Sequence, residues 1–153
     1  MPNSERINYV KVSKDYINDY MNMVNDMDTA KFITHNPRTY TYEEEEKWVE
    51  EQIKNNANIF SMIEKDTNKF IGNIEIKEED NEIGIYITKE MQDKHYGTEA
   101  MKAIIEYAFS TLGLDEVTLK VYPNNARAIK CYKNVGFIEY NRDEENIYMK
   151  KTR

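Results

Sequence analysis

A chain of 153 residues is the size of one domain, with a core large enough to need no covalent staple; its 28 acidic against 21 basic residues leave a net charge of −7. That balance argues against a general binder of nucleic acid or anionic membrane and is compatible with a cationic substrate. One cysteine (Cys131), two distant histidines (His35 and His95), no apolar run near the ~18 residues of a membrane span and no apolar leader predict a single cytoplasmic domain, residues 1–153, without disulfide or metal.

In chain order, residues 6–12 alternate well enough for a first strand, with Ile7, Tyr9 or Val10, and Val12 as its apolar members. Ser13 offers an N-cap, and residues 14–27 place Ile17, Tyr20, Met21, Val24 and Met27 at spacings of three and four, which describes one buried helical face. After a turn at Asn36-Pro37, Thr41 can cap a second helix that starts in the acidic run 43–46 and takes its apolar side from Trp48, Val49 and Ile53. Strands over 59–64, 70–76 and 82–87 follow, joined at 66–68 and 78–81 by polar turns of hairpin type, so this part is antiparallel. Then come an apolar-faced helix over 98–112, a β-rich run over 116–122, and a short helix over 125–135 capped by Asn124 or Asn125 and stopped by Gly136. A closing pair of strands, 138–140 and 147–149, surrounds the charged turn 142–145. The class is α/β with a mixed sheet and flanking helices, free of linkers, repeats and low-complexity tails.

Two short patterns carry chemistry. The first is Gln92-Asp93-Lys94-His95-Tyr96-Gly97-Thr98-Glu99-Ala100, between the Glu82 strand and the 98–112 helix. A helix leaves its first backbone N–H groups unpaired with partial positive charge, so a loop whose glycine lets the backbone come close is an anion cradle; alone, a glycine ahead of a helix reads equally as a plain turn. The second is Asn125-x-x-Ala128-x-x-x-Tyr132-x-x-x-Gly136-Phe137, on and just after the short helix.

Together and in this order, these patterns resemble the GNAT superfamily of acetyl-CoA-dependent N-acetyltransferases over about residues 5–150, closest to the branch of ribosomal-protein N-terminal and spermidine acetyltransferases. Gln92, Gly97 and Ala100 match the coenzyme loop and its helical continuation; His95 stands where that loop usually has its first glycine. The resemblance implies a mixed sheet splayed at its central pair beside the Glu82 strand. It also implies a bulge that frees backbone groups of Ile85, Tyr86 and Ile87 for the pantetheine arm. Gly84 is a candidate for that bulge, or relieves packing against a neighbouring helix. The cosubstrate that the resemblance implies is acetyl-CoA, expected to be held by Ile85 to Ile87, by Gln92, Asp93, Lys94, His95, Tyr96, Gly97 and Thr98 through the loop, and by Asn125 and Tyr132.

Acetyl transfer to a primary amine through a tetrahedral intermediate needs the amine neutral, donors for the oxyanion and a proton for the departing thiolate. The resemblance assigns that proton to Tyr132, whose other reading among twelve tyrosines is a packing ring. Glu82 is the candidate base, with a water chain or another carboxylate such as Glu75 as alternatives. Asn125 holds the coenzyme, caps its helix, or does both; Lys94 either neutralises phosphate or is simply solvated. Cys131 reads as a small hydrophobe, and His35 as a surface residue or part of the acceptor wall. The acceptor is a polyamine, a protein N-terminus or another small amine, and a homodimer is compatible with the pattern. Two other functions stay open: an acyl-CoA-binding module without catalysis, and a nucleotide-phosphate binder, which the absent Gly-Lys-Ser/Thr and Gly-x-Gly-x-x-Gly motifs disfavour.

Overall fold

The computed structural model describes residues 1–31 and 38–153. Seven strands form one sheet in the order β1-β2-β3-β4-β5-β7-β6. They are β1 (Ile7–Lys11), β2 (Ile59–Glu64), β3 (Phe70–Lys77), β4 (Glu82–Ile87), β5 (Glu116–Val121), β6 (Ile138–Arg142) and β7 (Ile147–Thr152). All neighbours are antiparallel except β4 and β5, which run parallel and pair in register only at Glu82 and Thr118. The hairpins expected at 66–68 and 78–81 are there, with Asn68 and Asn81 in the left-handed conformation that asparagine tolerates (φ 61° and 57°).

Among the described residues five α-helices cover the sheet: α1 (Ile17–Asn25), α2 (Met27–Ala30), α3 (Tyr42–Lys54), α4 (Tyr96–Glu106) and α5 (Ala126–Asn134). α1 and α3 pack on one face, where Ile17, Tyr20, Met23 and Val49 meet Ile59, Ile63 and Phe70. α4 supplies most of the other face, with Ala100, Met101 and Ile104 buried against Phe60, Met62, Ile74 and Leu119. Each such aliphatic side chain contributes about 1.5–3 kcal/mol by leaving water, which is what holds the two layers to the sheet.

Several local expectations need correction. The single helix expected over 14–27 is three pieces. Ser13 Oγ accepts from Asp15 N at 3.1 Å to start a 3-10 turn, and Asp26, extended at ψ 110°, ends α1 and caps α2 through Asp28 N at 3.0 Å. Met27 is consequently exposed and Met23 takes the buried place. Thr41 caps α3 in a reciprocal box with Glu44, yet Ile53 points to solvent and Glu45 is the buried residue in that helix's first turn. α4 starts at Tyr96, two residues before the expected 98, and ends in a π-helical stretch, Tyr107–Thr111. The turn at Asn36-Pro37 and His35 lie outside the described residues. Among the described residues no helix is long and apolar enough to cross a membrane.

Candidate functional site

Between β4 and β5 the sheet opens. The β3–β4 register is unbroken from Lys77 opposite Glu82 to Gly72 opposite Ile87, so Gly84 is not a bulge. The opening arises because β5 turns away after its one paired position, leaving the β5-facing edge of Ile85, Tyr86 and Ile87 without a partner strand. Gly84 serves packing instead: a Cβ there would stand 3.0 Å from Glu75 Oε1 and 3.1 Å from the Tyr86 hydroxyl. A cavity of about 980 Å³ fills the split, bounded by β4, the start of α4, the end of β5 and the first turns of α5.

The loop into α4 is a backbone device. Asp93 and His95 both take left-handed φ (64° and 65°), and His95 is the N-cap of α4 with no side-chain cap bond. Alternating hand along a chain turns successive N–H groups to one side, forming a concave anion nest at the positive end of a helix. The left-handed turn at His95 is the conformation for which glycine is the ordinary residue, so the histidine carries the geometry at a backbone cost. Gly97 lines the cavity, and a Cβ added there would meet no atom within 4 Å. The bare backbone therefore borders open space where a ligand can approach; of residues 92–98, Gln92 and Gly97 are the two on the cavity wall.

Other loop residues divide between ligand side and support side. Gln92 lines the cavity and its amide nitrogen donates to Ile87 O at 3.0 Å and Thr29 Oγ1 at 3.3 Å, joining the end of β4 to α2. Asp93 pairs with Arg127 of α5 at 3.2 Å, both side chains exposed. The Lys94 side chain is exposed outside the cavity, with its charge felt by Glu64, and the Tyr96 ring is buried away from the cavity with its hydroxyl donating to Glu64. Neither side chain therefore lines the cavity. Thr98 places its hydroxyl 3.5 Å from Cys131 Sγ.

Arg6, which nothing in its local sequence marks, holds this loop from behind. Its guanidinium donates to Lys94 O at 3.1 Å and to Glu99 Oε1 at 2.7 Å and lies 4.1 Å over the Tyr96 ring, while its backbone N donates to Glu99 Oε2 at 2.8 Å.

Across the split, Asn125 caps α5 through Ala128 N at 3.3 Å and Gly136 ends the region at φ 105°. Tyr132 lines the cavity, its ring edge-on to Phe137 with centroids 6.3 Å apart. Among the described residues no hydrogen bond holds its hydroxyl, and burial raises its pKa, so it keeps a proton available at neutral pH. Glu82 also lines the cavity, with Lys77 at 3.5 Å and Lys120 at 4.0 Å from its carboxylate. Glu75 stands one strand further in, its carboxyl raised chiefly by burial.

A profile of the acetyltransferase (GNAT) domain family matches residues 6–138. The uncharacterised N-acetyltransferase p20 of Bacillus licheniformis is 31% identical over 90 residues, covering 56% of this chain and 51% of that protein. The spermidine N(1)-acetyltransferase of Vibrio cholerae is 25% identical over 114 residues, covering 71% and 66%. The chain thus spans about half to two thirds of these curated relatives. A crystal structure of a Vibrio cholerae spermidine N-acetyltransferase with CoA and spermine superposes with a TM-score of 0.82 at 20% identity, covering 96% of this chain and 95% of that one, a likeness of fold.

Proposed function

Because this chain belongs to the acetyltransferase (GNAT) domain family, we propose that it moves the acetyl group of acetyl-CoA directly onto a primary amine, either a polyamine or a protein N-terminus. The observation that carries this reading is the split itself: a parallel pair joined at one register position, with an anion nest at one end and a protonated tyrosine inside. Family members use acetyl-CoA, which supplies the activated acetyl thioester. Its diphosphate suits the N–H groups of residues 93–98, and its amide-bearing arm suits the unpaired edge of Ile85 to Ile87, with Asn125 facing that arm from α5.

Tyr132 is assigned as the acid that protonates the leaving sulfur. It is a donor with no competing acceptor among the described residues, and its raised pKa keeps it protonated at neutral pH. A carboxylate takes the amine's proton, and Glu82 and Glu75 both lie at that end of the split. A polyamine acceptor is supported by the spermidine acetyltransferase among the relatives.

The test has two parts. Acetyl-CoA should raise the melting temperature where equal ATP or NAD does not, because a ligand bound only by the native state stabilises it with occupancy. Thiol release should then follow addition of an amine from a panel of polyamines, aminoglycosides, amino acids and N-terminal peptides. No CoA-dependent shift at millimolar ligand would remove the donor assignment, and a shift without thiol release from any amine would leave an acyl-CoA-binding module.

A further inference from the structure

We propose that the proton given up by the acceptor amine leaves through Tyr86 to Glu75, so that base and acid act from opposite walls of the split. This deepens the acetyl-transfer reading above and rests on it.

Three observations converge on the pair. Glu75 on β3 lies directly opposite Gly84 on β4, and Tyr86 is the next residue on the same face of β4. The Tyr86 hydroxyl is 3.5 Å from Glu75 Oε1, a long contact that a bound substrate can tighten. Both oxygens hang over the bare Cα of Gly84, since a Cβ there would stand 3.0 Å from one and 3.1 Å from the other. The missing side chain is what lets carboxyl and phenol meet. Tyr86 lines the cavity and Glu75 is reached through it, which makes Tyr86 the group that touches substrate and Glu75 the proton's destination.

Placement relative to Tyr132 completes the argument. Tyr86 packs with the α1 and α3 face of the sheet and Tyr132 with the α4 and α5 face, yet the two phenols are close enough for one to influence the other. Attack on a thioester and departure of its sulfur need proton transfer at two different atoms, and the split offers one phenol from each wall. Glu82 is the less suited base because Lys77 and Lys120 both hold its carboxylate. Among the described residues, the charged and titratable groups facing Glu75 are Lys77, Glu82 and Tyr86; burial outweighs Lys77 and raises the Glu75 carboxyl, which brings a carboxylate nearer the range of a working base.

The step balances. As the amine nitrogen bonds to the thioester carbonyl carbon, its proton passes to the Tyr86 oxygen while Tyr86 passes its own proton to Glu75. The carbon–sulfur bond then breaks and the thiolate takes the Tyr132 proton. Glu75 returns its proton to solvent and Tyr132 regains one, so both phenols end as they began.

The test is the pH dependence of kcat and kcat/KM in wild type, Glu75→Gln and Tyr86→Phe, with a responsive amine in saturating acetyl-CoA. Wild-type activity should rise with pH through an apparent pKa above the ordinary carboxylate range. Glu75→Gln and Tyr86→Phe should each lower kcat by about 10²-fold, the low end for lost general-base catalysis, and abolish that rise while leaving the acetyl-CoA thermal shift unchanged. Tyr86→Phe keeps the ring, so it decides the matter even where Glu75→Gln disturbs folding. Gly84→Ala should lower kcat by a smaller factor by pushing the two oxygens apart. Variants within about twofold of wild type, with the pH rise intact, overturn the relay and return the base to Glu82. A wild type that transfers acetyl to no amine removes the underlying reading and the relay with it.

Discussion

The two walls of the split are built by different means. The donor wall is mostly backbone: the unpaired edge of β4, the left-handed turns at Asp93 and His95, the bare Gly97 and the first turn of α5. The acceptor wall is mostly side chains gathered from separate segments, with Glu75 from β3, Tyr86 and Glu82 from β4, and Asp28 and Thr29 from α2. On the proposed reading, backbone groups hold the coenzyme common to the family, and side chains from scattered positions select the amine and can change without disturbing the donor wall.

That contrast can be broken first at Tyr132. Removing its hydroxyl in Tyr132→Phe should lower kcat by about 10²-fold, the low end for a lost general acid because a thiolate leaves readily, with KM for acetyl-CoA unchanged. Steady-state kinetics under conditions where chemistry limits the rate decide it; a variant within about twofold of wild type makes Tyr132 a packing residue.

A fault in the donor wall should act on binding. Arg6→Ala frees the carbonyl of Lys94 and takes the guanidinium from Glu99, which keeps only its bond from the residue 6 backbone N and its Ser4 contact, so KM for acetyl-CoA should rise about fivefold to tenfold with a smaller change in kcat. A fall in kcat at constant KM would contradict the bracing role. Gly97→Ala sharpens the point, since a methyl there meets only open space in the free protein. The unliganded variant should be as stable as wild type, or more so by up to about 1 kcal/mol from helix propensity, and still bind acetyl-CoA several-fold more weakly by calorimetry. Equal affinity would mean that the coenzyme does not approach Gly97.

The acceptor wall has its own signature in stability. Burial raises the folded pKa of Glu75 above its unfolded value, so the unfolded chain gives up that proton first and stability falls as pH rises through the folded value. Glu75→Gln should flatten that fall in melting temperature against pH and be the more stable protein at neutral pH. A steeper fall would reverse the assigned direction.

The smallest effect is expected at His95. Replacing a left-handed histidine by glycine relieves about 1 kcal/mol of backbone strain, partly offset by greater freedom of the unfolded chain, and should preserve or tighten acetyl-CoA binding. Marked weakening would show that the imidazole itself contacts the coenzyme.

What could be read in the sequence follows the same division. Hairpin turns, the Thr41 cap, the Asn125 cap and the Gly136 stop are local devices whose residues lie within a few positions of what they control, and all are where the sequence puts them. The split of the sheet came from family resemblance, and its cause was misplaced. Of the two readings of Gly84, a bulge and relief of packing against a helix, neither holds: the divergence of β5 makes the opening, and Gly84 makes room for the Glu75 and Tyr86 side chains. That purpose depends on a residue nine positions away on the next strand, which periodicity cannot reveal. Arg6 was invisible for the same reason, acting on a loop almost ninety residues later. Lys94 and Tyr96 stood in the expected loop, yet their side chains serve its far side, because a motif fixes where the backbone goes and leaves side-chain direction to packing.

The most direct measurement is the change in backbone amide resonances when acetyl-CoA is titrated into labelled protein. The account requires the largest changes at residues 85–87, at 93–98 and at Asn125 and Tyr132, with Arg6 and Glu75 shifting less because they stand behind the walls. Changes confined to other parts of the sheet, or none at saturating acetyl-CoA, would contradict it.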